Sequence, residues 1–190
     1  MWINDIYIRR AQMTDIVALR AMQERSMRII GRAYYAEDVL ETFLRKISTM
    51  DDAVVAEGHY FVAIDIAGNY VGSGGWSRRA PGYSAHGESA SLAPDSRVDN
   101  ALVRSVFVDP DRARAGIGSG LMRHIEQDAY RLGIRDLRLM ATLSGVDFYH
   151  ARGYRSTGGG QIDLGDNASF GYVDMVKCLA DEDVAARVAS

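Results

Sequence analysis

Apolar positions along the chain follow two rhythms, one of period two and one near 3.6, and their succession predicts the elements. Ile6–Arg10 reads as a short strand. Thr14 stands where a helix cap would, ahead of Ile16, Leu19 and Met22 at core-facing intervals. Ala36–Ile47 predicts a second helix, with Val39, Leu40, Phe43, Leu44 and Ile47 along one side. Tyr60–Asp65 and Tyr70–Trp76 read as a hairpin joined through Ala67, Gly68 and Asn69. Leu102–Val108 predicts a strong strand, and Gly120–Leu132 an amphipathic helix ending near Gly133. Leu137–Leu143 reads as a buried strand and Val146–Arg152 as a short helix. Strands near Tyr154–Ile162 and Phe170–Leu179 precede a polar end. No internal repeat is visible. Strands and helices mix without strict alternation, which predicts an α/β (α+β) fold with a mixed sheet rather than a doubly wound parallel one.

The rhythm fails between Arg78 and Asn100, where Ser, Gly and two prolines outnumber large apolar residues. A stretch of that length without periodicity reads as a long loop, functional or disordered. At 190 residues the chain is long enough for one self-sufficient domain spanning 1–190. Lys and Arg number 22 against 25 Asp and Glu, a net charge of −3, which gives no reason to expect a nucleic-acid or anionic-membrane partner. The single cysteine, Cys178, rules out an internal disulfide and a cysteine-clustered zinc site. Its place in a terminal apolar strand predicts an inert core residue. No targeting pattern or apolar run long enough for a membrane span occurs, so the expected location is cytoplasmic.

Composition changes the picture at one point: there are 19 glycines and 3 prolines. Nine of the glycines lie in three clusters, at 72, 74 and 75, at 116, 118 and 120, and at 158–160. The middle cluster follows Val106-Phe107-Val108-Asp109-Pro110 and precedes an amphipathic helix, with Arg112 and Arg114 in the intervening turn. Glycines allow successive N–H groups to converge, and a helix start adds unpaired donors and a positive dipole end. That combination predicts a phosphate or pyrophosphate cradle. A dinucleotide fingerprint would need glycine at Leu121, a Walker A loop needs Gly-Lys-Ser/Thr, and a methyltransferase loop needs a carboxylate at Arg114. All three readings fail. The first cluster, ending at Trp76, is expected at a strand end beside the long loop; the third is expected to permit a bulge or irregular strand.

Val108-x-Pro110 followed by Gly116-x-Gly118 resembles motif A of the GCN5-related N-acetyltransferase (GNAT) superfamily. The family's Arg/Gln position falls on Ala113, flanked by Arg112 and Arg114. The run Phe148-Tyr149-His150-Ala151-Arg152-Gly153-Tyr154 is similar to the family's Phe-Tyr-x-x-x-Gly-Phe, and Thr142 stands where relatives often carry Asn. The resemblance implies a mixed, mostly antiparallel central sheet flanked by helices. It implies acetyl-CoA as co-substrate, with no metal, and transfer to a primary amine by direct attack, without a covalent enzyme intermediate. Pantetheine would lie along Val106, Phe107, Val108 and Thr142. The pyrophosphate would lie on Ala113, Arg114, Ala115, Gly116, Ile117, Gly118 and Ser119. Tyr149 would protonate the departing thiolate, as its ordinary pKa near 10 suits. The acceptor would be a small-molecule amine or a peptide, and relatives often form homodimers. A non-catalytic acyl-CoA-binding module of the same fold is the alternative.

A general base is not evident, because Leu102–Val108 holds no carboxylate or histidine. Glu57, His59, His86 and Glu88 are the candidates, each with a solvated surface role as the plainer reading; a water chain would serve as well. His86-x-Glu88 lacks the Pro-Cys-x-x-Cys of a zinc deaminase. His124 and His150 read as surface or packing residues. Trp76 and the Tyr34-Tyr35 pair are placed where relatives border the acceptor.

Overall fold

A computed structural model describes residues 2–3, 5–50, 52–79, 100–166 and 168–179. Its strands are β1 (Trp2–Ile3), β2 (Ile6–Arg10), β3 (Tyr60–Asp65), β4 (Tyr70–Ser77), β5 (Asn100–Val108), β6 (Asp136–Thr142), β7 (Arg155–Gly165) and β8 (Ala168–Cys178). The helices are α1 (Ile16–Gly31), α2 (Glu37–Lys46), α3 (Ala53–Ala56), α4 (Ile117–Arg131) and α5 (Val146–His150). The sheet runs β1-β2-β3-β4-β5-β6-β8-β7, and every neighbouring pair is antiparallel except β5–β6. This is the mixed, mostly antiparallel sheet expected.

Alternation along β3 assigns the two layers. Phe61 and Ala63 join the cluster beneath α4, with Ile117, Leu121, Ile125 and Ala129. Tyr60 and Val62 join the cluster beneath α1, with Leu19 and Met22. Each fully buried Leu, Ile, Val, Phe or Met side chain among them contributes about 1.5–3 kcal/mol. The first glycine cluster serves this packing. A Cβ on Gly72 would come within 2.9 Å of both Ile117 and Leu121, and one on Gly75 within 2.4 Å of the His59 carbonyl. The missing side chain at Gly72 lets α4 settle directly on β4, and that at Gly75 admits the His59–Tyr60 backbone.

Several boundaries differ from expectation. Helix α4 starts at Ile117, ahead of Gly120, because Gly116 at φ 83° caps it and its glycines are absorbed into the first turns. Met13–Asp15 form a 3-10 turn before α1, so Thr14 is not its cap. Strand β1 and helix α3 have no counterpart in the periodicity. Cys178 is exposed rather than buried. Lys177 takes the inward position instead, donating to Glu126 at 2.9 Å with both groups buried. Apolar content along β8 concealed which side faced in. The third glycine cluster sits at a register shift between Ser156 and Gly158, and Gly159 passes 2.6 Å beneath the Tyr172 carbonyl at its Cβ position. Of the long loop, 80–99 with His86 and Glu88 lies outside the described residues, as does the polar end from 180. Among the described residues no helix is long and apolar enough to cross a membrane.

Candidate active site

Strands β5 and β6 pair only through Asn100↔Asp136, Ala101↔Leu137 and Leu102↔Arg138. Beyond them β5 bonds only to β4 and β6 only to β8, so a wedge opens between the two strands. It is the centre of a cleft of about 860 Å³. Val103–Val108 form one wall and Leu139, Met140 and Thr142 the other. Gly118 and Tyr149 close one part, while Met27, Phe43 and Thr49 from the α1–α2 side close another.

The β5 wall is bent. Two residues, Ser105 and Val106, oppose Gly74 across a register shift, and Ser105 takes φ 48°. A non-glycine residue there needs support from its surroundings. A buried polar cluster supplies it. The Tyr60 hydroxyl donates to the Ser105 carbonyl at 2.8 Å and accepts from Gln23 Nε2 at 2.9 Å. Gln23 also donates to Ser73 Oγ at 3.0 Å and accepts from Thr49 Oγ1 at 2.7 Å. Ser105 Oγ donates to the Thr49 carbonyl at 2.7 Å. Five residues from α1, β3, β4, β5 and the segment after α2 therefore hold one bend.

At the other end of β5, Asp109 caps a 3-10 turn over Pro110–Arg112 by accepting from the Asp111 amide at 2.9 Å. Arg25 of α1 grips this turn, reaching Asp109 and Asp111 at 2.7 Å each. The chain then passes Arg114 at φ 63° and Gly116 before α4 begins. The first-turn donors of α4 gather beside the cleft, and a Cβ on Gly118 would stand 3.2 Å from the Phe148 ring.

This geometry coincides with a family match: residues 56–156 fit the model of the acetyltransferase (GNAT) domain, just over half the chain. The chain belongs to the GNAT acetyltransferases. Solved GNAT structures share its fold over nearly the full length. A GCN5-related N-acetyltransferase from Rhodopseudomonas palustris matches at TM-score 0.69 and 19% identity, covering 94% of this chain and 99% of that one. The PaiA N-acetyltransferase of Thermoplasma acidophilum, in complex with coenzyme A, matches at 0.66 and 16%, covering 91% and 98%. A GNAT acetyltransferase from Brucella melitensis, in complex with acetyl-CoA, matches at 0.57 and 18%, covering 92% and 88%. No curated protein sequence matches the chain.

Within the GNAT fold, the residues singled out from sequence divide into three groups. Val106, Phe107, Val108, Gly118, Thr142 and Tyr149 line the cleft together. Ala113, Arg114, Ala115 and Gly116 form the exposed outer lip, and Ser119 is half-buried on the first turn of α4. The Ile117 side chain points into the core, which leaves only its backbone for a ligand. Of the flanking arginines, Arg112 turns away to Asp5 at 3.1 Å and Asp65 at 4.0 Å. Besides Arg114 on the lip, Arg152 brings a guanidinium to the helix start, donating to Ser119 Oγ and lying over the Phe148 ring at 4.8 Å. Sequence reading missed it, although it sits in the second motif.

Tyr149 is 9% exposed and makes edge-on contacts with Phe148 and Tyr154. Burial pushes its phenol well above the ordinary tyrosine value, and among the described residues its hydroxyl makes no hydrogen bond. Tyr35 is the opposite case. Its hydroxyl accepts from the Leu143 amide at 2.7 Å and donates to the Gly171 carbonyl at 2.8 Å, bracing β8 against the turn after β6, and burial pushes it up to about 12.

The base candidates do not converge on the cleft. His59 Nδ1 lies 2.9 Å from Asp128, which also accepts from Trp76 Nε1 at 2.9 Å, while the imidazole stacks on the indole. His59 and Trp76 thus anchor α4 to the hairpin. Glu57 lies 3.3 Å from Arg79. Tyr34 is exposed, His124 packs on Phe61 with burial lowering its pKa, and exposed His150 faces the Tyr154 carbonyl.

Proposed function

We propose that the protein is an acetyl-CoA-dependent N-acetyltransferase acting on a primary amine by direct attack. The supporting observation is a single cleft bordered at once by the free edge of β5, the first turn of α4 and the Tyr149 side chain. These parts suit a CoA-like ligand: strand N–H and C=O groups for an amide-bearing arm, helix donors for phosphates, and a lip of glycine and alanine that a long chain crosses without obstruction.

Bound acetyl-CoA supplies an acetyl group activated as a thioester. Val106, Phe107, Val108 and Thr142 orient the arm, and residues 113–119 with Arg152 hold the phosphate end. The bend at Ser105 fixes the strand where the reacting carbonyl lies. The acceptor nitrogen bonds to the acetyl carbon, the carbon–sulfur bond breaks, and the proton lost by nitrogen balances the one gained by sulfur. Tyr149 provides that proton and recovers one through solvent. Holding both reactants in one cleft accounts for much of the rate.

A second reading, a non-catalytic acyl-CoA-binding module, draws on the cleft's chemistry: its described lining contains no histidine and a single carboxylate, Asp163. Turnover decides between them. Across an amine panel, Tyr149→Phe is expected to lower kcat about 100-fold or more while CoA affinity changes less than about threefold. Because burial raises the phenol, wild-type kcat should show no alkaline loss below about pH 10. CoA binding without turnover on any amine would establish the binding module. No rise in Tm with millimolar CoA or acetyl-CoA would refute both readings.

A further inference from the structure

The part of the cleft away from the helix start carries a cation, Arg104, that no carboxylate among the described residues pairs with. Arg104 lies on β5 four residues before Val108, about 13 Å along the strand. It lines the cleft and is only 8% exposed. In the register it stands opposite Gly75, which in turn faces Tyr60, so it belongs to the α1 side of the sheet with the buried polar cluster. Its charge is felt at the Tyr60 hydroxyl. Among the described residues its one hydrogen bond is to the Arg79 carbonyl, at 3.3 Å, and no carboxylate pairs with it. The other charged groups around the cleft are committed elsewhere. Lys46 of α2 donates to the Leu164 carbonyl and lies 3.9 Å from Asp166. Asp163 accepts from the Gly165 amide at 2.7 Å at the exposed rim.

A buried guanidinium without an anion is costly, and truncating or pairing it changes the local free energy strongly. A planar fork of donors matches the two oxygens of a carboxylate, which it binds bidentately. Elsewhere in the same cleft Met27, Ile30, Phe43, Ile47 and Met50 present an apolar wall, which suits an apolar body.

We propose that Arg104 is the specificity determinant of the acceptor site and that the acceptor is an amino-carboxylate: a primary amine, an apolar body and a carboxylate that pairs with this guanidinium. The inference rests on the acyl-transfer reading for the role of the cleft.

The test compares matched probes, phenylalanine with phenethylamine and leucine with isoamylamine, by calorimetry with and without CoA. The carboxylate-bearing member of each pair is expected to bind at least tenfold more tightly to the wild type. The preference should collapse to under twofold in Arg104→Gln and survive in part in Arg104→Lys, which also serves if the glutamine variant does not fold. Equal binding within both pairs, preference for the plain amines, absence of measurable binding by either amino acid, or a preference that persists in Arg104→Gln overturns the proposal. These readings require no turnover. Failure of acetyl transfer with the preference intact would sink the transferase reading alone.

Discussion

Near Gly116 the site is built largely of backbone: strand-edge groups of β5, the first amides of α4, and a lip that apart from Arg114 consists of glycine and alanine. Near Arg104 the wall is made of side chains contributed by α1, α2, β5 and the segment after α2. A ligand that presents phosphates and amides needs only the first kind of wall, since every peptide unit offers the same donor and acceptor. Discrimination among acceptors needs the second, because only side chains differ between relatives. The comparison teaches where generality and specificity reside in one groove.

Substitutions at each end should break these properties separately. The largest effect is expected from Gly118→Val. A branched side chain there meets Phe148 and Val108, and overpacking of about 1–3 kcal/mol at the turn should raise the Kd for CoA at least tenfold. Binding of the amine probes in the absence of CoA should not change; calorimetry on both ligands checks this. Tyr60→Phe acts at the other end. It leaves the Ser105 carbonyl and the Gln23 amide short of a partner in a buried setting, a loss of about 1–3 kcal/mol in denaturant unfolding. The bend it supports should loosen, so kcat falls while CoA affinity holds; an unchanged kcat would show that the cluster stabilises the fold without positioning the site. The smallest effect belongs to Arg25→Ala, which frees the 3-10 turn from α1. Its ion pairs are exposed, so stability should barely change, with a slight weakening of CoA binding that grows at low salt.

The two ends also differ in how far the amino-acid sequence discloses them. The backbone end is written locally: strand, proline, turn and glycines lie within Val106–Gly120, and the requirement for small residues leaves a visible trace. Tyr149 is similarly marked by its neighbours. The side-chain end is assembled from residues far apart in the chain. Gln23, Thr49, Tyr60, Ser73 and Ser105 are individually ordinary, and only the folded sheet brings them together. Arg104 escaped notice because charged residues in a strand usually face solvent, while the bulge beside it disrupts the alternation that would reveal its side. Cys178 was expected in the core for a related reason: the buried position belongs to Lys177, buried lysine is rare, and Glu126, the residue that makes it tolerable, lies 51 positions away. The anchoring role of Trp76 was legible as a strand-end aromatic, but its partner Asp128 of α4, which also holds His59, lies more than 50 positions away.

The seam between β5 and β6 has a consequence for how the molecule comes apart. Three residue pairs join two blocks of strands that are otherwise fully bonded within themselves. Along the remainder of β5, the bonds that a neighbouring strand would ordinarily make are left for whatever occupies the wedge. An occupant that makes them acts as a temporary strand, and its concentration enters the folding equilibrium as RT ln(1 + [L]/Kd). The sheet is therefore a structure whose completeness depends on ligand supply, and its resistance to unfolding reports how well that supply is met.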